Sequence, residues 1–454
     1  MKTVKQHNMK KVLILGSGMV AGPIIHYLLN RNYFVTVASN TPDRARELIN
    51  NAPRGHAVSW SADEPEKLDG FIAEADLVVS LLPFGFHVMV AKKCIAHKKN
   101  MVTTSYVKPE MYALDEQAKK AGILILNECG LDPGIDHMSA KRIIDTVHGF
   151  GGRIKEFYSI CGALPAPESS HDNPFRYKFS WSPKGVVLAG NNNASYLRHG
   201  KKVLIPTEKL FTDTFTVNVH GVEELQVYPN RDSVPYIDLY GIPETETMYR
   251  GTFRYKGWCE ALNALKRLKL TLPEPHDFTG MSYAQLMARQ INAKNTKNLK
   301  KQVADFLDVA ENSVAIEALE FLGLFSDAPM NRKTDSTYEI VSDLMIERMM
   351  LPEGERDMSV MLHVFVAEYP DGRKEVIKSK LLDYGIPEKD TSIARTVALP
   401  AACAVRMILD NEIEVTGVHI PVIPEIYNPI MLELENLGIE MVEEYGLPLS
   451  ETIL

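Results

Sequence analysis

The chain has no surplus of positive charge: 50 Lys and Arg stand against 58 Asp and Glu, a net charge of -8, and no basic tract occurs. That argues against a nucleic-acid partner, whose affinity would rest on clustered cations. Cysteine is scarce as well. The five, Cys94, Cys129, Cys161, Cys259 and Cys403, lie far apart and fit neither a disulfide framework nor a zinc spacing, so no metal site is expected. Each reads as a buried thiol, with Cys161 set apart for a reason given below. No uninterrupted apolar run of about 18 residues occurs, which leaves no membrane span. Residues 1–11 carry several Lys but no apolar core of signal-peptide length, so a cytoplasmic location is expected. What remains is ordinary globular composition, 45% hydrophobic and 24% charged, over 454 residues. That length is too great for one core, and two or three domains are expected.

The chain is organised around Val12-Leu13-Ile14-Leu15-Gly16-Ser17-Gly18-Met19-Val20-Ala21. An apolar strand delivers the chain to a tight turn at Gly16. Gly18 has no Cβ to keep backbone away from a pyrophosphate, and small Ala21 lets the next helix pack closely. The helix N-terminus offers unpaired N–H groups to phosphate. A lone G-x-G-x-x-A is weak evidence, since an ordinary strand-turn-helix also has glycines at its bend. Five further strands decide for the nucleotide site: 33–38, 56–60, 76–82, 100–104 and 122–126, with helical stretches between most of them. In a doubly wound sheet the strand ends face the ligand. Those ends put Ser39, Asn40 and Thr41, then Asp63, then Leu81, Leu82, Pro83 and His87 on the cofactor side with the turn residues Gly16 to Val20. His87 reads as a catalytic group or, more simply, as a helix-start residue bonding backbone. No acid stands at Ser39-Asn40-Thr41, where a dinucleotide site specific for NAD carries one for the ribose 2′-OH. The hydroxyls and amide suit a 2′-phosphate, with Arg44 or Arg46 to balance its charge unless they only solvate a helix face. NADP is therefore favoured narrowly over NAD.

The stretch Asn127-Glu128-Cys129-Gly130-Leu131-Asp132-Pro133-Gly134-Ile135-Asp136-His137 is distinctive. So are Cys161-Gly162-Ala163-Leu164-Pro165, Tyr177-Lys178-Phe179-Ser180-Trp181-Ser182, Tyr228-Pro229-Asn230-Arg231-Asp232-Ser233 and Arg250-Gly251-Thr252-Phe253-Arg254-Tyr255. With Gly323-Leu324-Phe325-Ser326-Asp327 and Glu355-Arg356-Asp357-Met358 they resemble, in order and over nearly the whole chain, the saccharopine dehydrogenases of the glutamate-forming type, also called saccharopine reductases. The resemblance implies an NAD(P)-dependent oxidoreductase of lysine metabolism acting on a CH–NH donor. Its substrate is saccharopine, interconverted with L-glutamate and 2-aminoadipate 6-semialdehyde, and its assembly is a homodimer. Fungal members resemble this chain with an Arg in place of Asn40, and the family's Cys-Gly-Gly is Cys161-Gly162-Ala163 here. The reductase module that precedes this enzyme in animals is not in the sequence, so a monofunctional enzyme is expected.

A substrate with three carboxylates needs fixed cations, and Arg pairs bidentately with carboxylate. Arg231 and Arg254 are the candidates, Arg250 the third choice. For each the alternative is a structural ion pair with a neighbour such as Asp232. Ser105, Tyr106, Thr252 and Phe253 complete the pocket. Proton transfer falls to Asp132, Cys161 or Tyr106, of which Asp132 and Cys161 match the family's pocket residues. Asp132 reads equally as a turn-initiating residue, and Asp136 and His137 open a helix. Leu131 belongs with the cofactor set.

The fold expected is α/β: a Rossmann-type nucleotide-binding domain over 1–133, with 393–454 packing back on it. A second α/β domain with a mixed sheet occupies 134–257 and 349–392, and a helical insertion 258–348. The rival enzyme is a related imine reductase such as carboxynorspermidine dehydrogenase, whose substrates carry fewer carboxylates and need fewer cations. A non-enzymatic nucleotide sensor would require decayed pocket residues, whereas Asp132, Cys161 and Arg231 are all present.

Overall fold

The computed structural model describes residues 9–453. Residues 1–8 and 454 lie outside the described residues, and with them most of the lysine-rich start and the outermost ends of the expected domain bounds. The chain divides into two compact units, Met1–Phe150 with Ser392–Val442, and Gly151–Thr391 with Glu443–Leu454.

In the first unit β1 (Lys11–Leu15), β2 (Phe34–Ser39), β3 (Gly55–Ser59), β4 (Leu77–Ser80), β5 (Asn100–Thr103) and β6 (Leu124–Leu126) are interleaved with helices. These are α1 (Gly22–Asn30), α2 (Pro42–Ile49), α3 (Pro65–Glu74), α4 (His87–His97), α5 (Pro109–Tyr112) and α6 (Asp115–Ala121), and α7 (Ile135–Gly149) follows β6. The strands stand in the order β3-β2-β1-β4-β5-β6, all parallel. Val12–Leu15 of β1 and all of β4 are buried, as continuous apolar strands covered on both faces must be. Pro23, Pro42 and Pro65 stand in the first turns of α1, α2 and α3, where a missing N–H breaks no helical bond. Chain order reverses between β1 and β4, and the crevice at their carboxyl ends is where such a sheet takes its ligand.

The second unit holds β7 (Arg153–Pro165), β8 (Ala194–Arg198), β9 (Lys201–Ile205), β10 (Phe215–Asn218), β11 (Glu224–Pro229), β12 (Thr247–Arg254), β13 (Pro275–Asp277), β14 (Thr334–Ser336), β15 (Asp357–Glu368) and β16 (Lys374–Tyr384). Its main sheet runs β10-β11-β12-β7-β15-β16 and is mixed: β12 and β7 are parallel, while β10/β11, β11/β12, β15/β7 and β15/β16 are antiparallel. Helices α8 (Pro183–Ala189) and α9 (Tyr236–Tyr240) lie between strands. A helical segment of α10 (Trp258–Arg267), α11 (Tyr283–Gln290), α12 (Leu299–Leu307), α13 (Val314–Phe321) and α14 (Thr337–Met349) follows β12, with β13 and β14 pairing inside it. Its apolar faces join one face of the sheet, with Tyr158, Ile160, Phe253, Val360, Leu362 and Val364, in a single core. The β15/β16 ladder extends well past the stretches 359–367 and 375–377 in which alternation is visible in the sequence, because Asp357, Ser379 and Asp383 are buried strand residues whose polarity hides the pattern. Gly372, at φ +83°, sits in the hairpin turn that Tyr369-Pro370-Asp371-Gly372 forecasts.

The tail serves both units. Helix α15 (Ser392–Leu409) packs on α1, and β17 (Gly417–His419) extends the parallel sheet beside β6. By length and composition α15 is apolar enough to cross a membrane, but 83% of that window is buried in the unit, which makes it a core helix. Helix α16 spans Pro424–Asn436. Pro424 takes the first turn and Pro429 stands inside the helix, where it removes one backbone bond without ending it. Arg142 pairs with Glu435 at 2.9 Å and the Tyr427 hydroxyl donates to Asp145 at 2.6 Å, which ties α7 to α16 and keeps α7 in the first unit. Strand β18 (Val442–Leu447) joins the edge of the second sheet beside β16.

Candidate active site

The glycine turn lies at the switch point. Gly16 has φ +104°, its N–H donates to Ala38 O at 2.9 Å, and a Cβ there would stand 3.1 Å from Leu81 O. The protein itself therefore demands Gly16. At Gly18 a Cβ would meet nothing within 4 Å, and the residue is exposed beside exposed Met19. The space it leaves is one the fold does not fill, which is what close approach of a pyrophosphate requires. Ser17, Ser39 and Thr41 form a hydroxyl cluster: Ser17 Oγ donates to Ser39 Oγ at 2.8 Å, and Thr41 Oγ1 lies 3.0 Å from each. Asn40 is exposed beside it. Arg44 and Arg46 are each paired along their own helix, with Glu47 at 3.0 Å and with Asp43, which matches the helix-face alternative for both. Asp63 bonds Ser61 at 3.2 Å in its own turn. Val20, Leu81 and Leu82 are half-buried, Pro83 is exposed and Leu131 is buried. The open space at Gly18 and the hydroxyl cluster beside it are compatible with a dinucleotide.

His87 opens α4 but does not bond backbone as the simpler sequence reading had it. Its Nδ1 lies 2.9 Å from Ser80 Oγ and its Nε2 2.8 Å from Ser105 Oγ. Burial pushes the imidazole down to about 4, so the ring is neutral at any working pH. The neighbouring Tyr106 hydroxyl donates to Asp132 Oδ1 at 2.9 Å, which joins two of the predicted proton-transfer residues. The other two acid-base candidates nearby are engaged. His137 Nε2 lies 2.7 Å from Glu128 Oε2 with both side chains buried, and Asp136 Oδ1 accepts the Gly134 N–H at 2.6 Å. Glu128 is the residue the sequence reading passed over: its Oε1 accepts the Val107 N–H at 2.8 Å and its own N–H donates to Ser105 O at 3.1 Å, which clamps the backbone on both sides of Tyr106. The signal available was its place in the motif. Its left-handed φ of +57° was not legible there.

In the second unit, Arg250, Thr252 and Arg254 occupy alternate positions of β12 and so share one face of the strand. Thr252 is registered against Cys161 of β7 and Tyr228 of β11. Phe253 points to the opposite face and packs in the apolar core, so what it can offer a ligand is backbone. Arg254 is 5% exposed. Its Nη1 donates to Phe253 O at 2.7 Å, its Nε has no hydrogen-bond partner, and no carboxylate of the described residues pairs with it. Aromatic rings surround it instead, at 4.9 Å for Tyr177, 5.1 Å for Trp258 and 5.9 Å for Tyr228. Tyr177 and Trp258 were not among the predicted site residues, although Tyr177 stands in one of the distinctive motifs. Arg250 is buried too, but its Nη1 donates to Tyr236 Oη at 2.6 Å over that ring. Arg231 is exposed, with φ +54°. Beside it the Asp232 carboxylate accepts from Ser195 Oγ at 2.5 Å and from Val234 N at 3.1 Å. Among the described residues no cluster of metal-ligating side chains occurs.

Comparison with known proteins adds the following. Residues 12–126 match the family described as saccharopine dehydrogenase NADP binding domain, and residues 130–439 the saccharopine dehydrogenase C-terminal domain. The saccharopine dehydrogenase [NADP(+), L-glutamate-forming] of Pyricularia oryzae is 38% identical over 446 residues, 96% of this chain and 99% of that one. The enzyme of the same description from Saccharomyces cerevisiae is 39% identical over 451 residues, 97% of this chain and 99% of that one. The mitochondrial alpha-aminoadipic semialdehyde synthase of Rattus norvegicus is 37% identical over 438 residues, 95% of this chain but 47% of that one. Among solved structures, an apo saccharopine dehydrogenase (L-Glu forming) from Saccharomyces cerevisiae superposes with a TM-score of 0.88 at 38% identity, covering 96% of this chain and 100% of that one.

Proposed function

The chain belongs to the saccharopine dehydrogenase family, and from that premise we propose how its own residues serve the reaction. It is an NADP-dependent, L-glutamate-forming saccharopine dehydrogenase, an oxidoreductase of lysine metabolism with a small-molecule substrate. Saccharopine carries three carboxylates, a primary amine and a secondary amine. Bound NADP accepts the hydride from the carbon beside the secondary amine. Water then splits the resulting imine into L-glutamate and 2-aminoadipate 6-semialdehyde, and the reverse direction uses the same steps backward.

Arg254 carries this reading. A guanidinium held 5% exposed with no carboxylate of the described residues paired to it is costly, and a substrate carboxylate is the anion that offsets the cost. We assign Arg254 and Arg231 to substrate carboxylates, and Ser105, Thr252 and the Phe253 backbone to its hydrogen bonds. The Tyr106–Asp132 pair holds the proton-transfer role. The Tyr106 hydroxyl donates to Asp132 Oδ1, and the Asp132 carboxylate is the group assigned to take a proton from water at the imine carbon. Cys161, registered beside Thr252, tunes and orients the imine nitrogen. The residues that would hold the nucleotide are Gly16 to Val20, Ser39 to Thr41, Leu81 to Pro83, Leu131 and Asp63.

The rival amine reductases handle fewer carboxylates, and a buried cation kept free of protein acids favours the substrate that carries more. A homodimer and a cytoplasmic location complete the proposal. The family resemblance supports the first, and the buried thiols of Cys94, Cys129, Cys259 and Cys403 support the second. The test is absorbance at the nicotinamide band with saccharopine and NADP or NAD, and with carboxynorspermidine in parallel. Turnover with saccharopine and NADP is expected; silence with saccharopine and either nucleotide would sink the assignment.

A further inference from the structure

Ser80, His87 and Ser105 form a hydrogen-bonded line that the roles assigned above do not use. It joins the carboxyl end of β4, the first residue of α4 and the segment after β5, through contacts of 2.9 and 2.8 Å. His87 is 4% exposed, so its two nitrogens are committed to the two serines. A neutral imidazole has one N–H and one lone pair, so one serine receives a hydrogen bond from the ring and the other gives one. The burial that keeps this imidazole neutral therefore couples the two serines, since whichever one the ring N–H serves, the other must donate to the ring's lone pair.

The rest of Ser105 is already held. Its N–H donates to Thr103 Oγ1 at 3.3 Å, its carbonyl accepts the Glu128 N–H at 3.1 Å, and the Val107 N–H two residues on donates to Glu128 Oε1 at 2.8 Å. With the backbone pinned, the hydroxyl rotamer is the freedom that remains, and the imidazole removes it. We propose that His87 is a positioning residue for saccharopine turnover, acting through Ser105 by fixing the rotamer and hydrogen-bond sense of its hydroxyl. This rests on the reading that puts Ser105 among the substrate contacts. It replaces a direct cofactor role for His87, because neither ring nitrogen is left over for a nicotinamide.

The amide of His87→Asn reaches the place of Nδ1, toward Ser80, whereas that of His87→Gln reaches the place of Nε2, toward Ser105. Both variants, Ser105→Ala and the double variant His87→Asn/Ser105→Ala are compared in the full-length enzyme by the KM for saccharopine, the KM for NADP, kcat and thermal unfolding. His87→Asn is expected to raise the saccharopine KM about fivefold, the worth of one oriented hydrogen bond. His87→Gln should recover most of that loss, the NADP KM should not move, and the His87→Asn effect should vanish when Ser105 is already Ala. An effect that persists in the Ser105→Ala background would overturn the proposal, as would a rise in the NADP KM in place of the saccharopine KM. Equal losses in the Asn and Gln variants that track a fall in melting temperature would reduce His87 to a packing role. If Ser105→Ala alone left the saccharopine KM unchanged, the placement of Ser105 would fail first, and that result is distinct from failure of the His87 link.

Discussion

Replacing Arg254 by Met separates a binding cation from a structural one, because the two make opposite demands on stability. The side chain is 5% exposed, makes one hydrogen bond to Phe253 O and stands among the rings of Tyr177, Trp258 and Tyr228. Losing the hydrogen bond costs about 1 kcal/mol and losing each ring contact about 0.5–2 kcal/mol. Against that stands the burial of a cation that no carboxylate of the described residues neutralises, a penalty of several kcal/mol that Met relieves while filling a similar volume. The two sides are of similar size, so the ligand-free variant should melt close to the wild-type temperature, where an ordinary large-to-small core change would lose about 2–5 kcal/mol. Binding moves the other way. A hydrogen bond to a charged group is worth about 1.5–3 kcal/mol, so the saccharopine KM should rise roughly tenfold to a hundredfold. The thermal shift that saccharopine gives the wild type, about 2.7 kcal/mol at one hundred times Kd, should fall to about 0.4–1.4 kcal/mol at the same concentration. Thermal unfolding with and without saccharopine, beside steady-state kinetics, reads all three. A steep loss of melting temperature with a KM within threefold of wild type would make Arg254 a structural residue and remove the main support for the substrate assignment.

Three further outcomes follow from the same geometry. Gly18→Val should leave the melting temperature unchanged, since its Cβ meets nothing within 4 Å, yet weaken NADPH binding in a fluorescence titration. Gly16→Ala, at φ +104° and 3.1 Å from Leu81 O, should lose about 1–3 kcal/mol of stability, and equal behaviour of the two variants would refute the distinction. Asn40→Arg should favour NADP over NAD by about tenfold, the worth of one charged hydrogen bond to phosphate, and unchanged KM ratios for the two nucleotides would place the 2′ end elsewhere. His87 adds a pH term. Its folded value near 4 lies below the ordinary 6.5, so the unfolded chain binds the extra proton first and stability falls as pH drops from about 6.5 toward 4. The full term is about 3 kcal/mol. His87→Gln should flatten the wild-type melting curve over that window, and parallel curves would mean the imidazole is not buried neutral.

What the sequence made legible was whatever repeats or punctuates. Buried strands such as β2, β4, β5 and β6 announce themselves as apolar runs, and Gly16 announces its turn because only a residue without Cβ accepts φ +104° beside a carbonyl. The Pro-Asp-Gly of residues 370–372 likewise fixes the β15/β16 hairpin. The far ends of those two strands were hidden, since buried Asp357, Ser379 and Asp383 look like loop residues until the sheet around them is known. The site divided in the same way. Arg254 was visible as a motif cation, but its lack of a counter-ion and its aromatic surround depend on Tyr177 and Trp258, distant in sequence and brought close by packing. Glu128 and Ser80 act through hydrogen bonds across loops, a relation that leaves no periodic trace.

The missing acid at the end of β2 sharpens how this enzyme takes NADP. A carboxylate there would accept hydrogen bonds from a ribose 2′-OH but repel a 2′-phosphate, so its absence lifts a repulsion without supplying an attraction. Arg44 and Arg46 do not supply it, since Glu47 and Asp43 already occupy them. What stands at the strand end is Ser39 and Thr41, tied to Ser17 of the glycine turn within 3.0 Å, with Asn40 exposed beside them. Three hydroxyls bonded to one another hold three protons and can aim at least one outward, toward phosphate oxygen, while the Asn40 amide brings two more donors. On this proposed placement, preference for NADP rests on neutral donors fastened to the same turn that receives the pyrophosphate. Neutral donors bind phosphate more weakly than an Arg does and lose less to salt screening. The preference should therefore be modest and nearly independent of ionic strength, and Asn40→Arg should make it both larger and salt-sensitive.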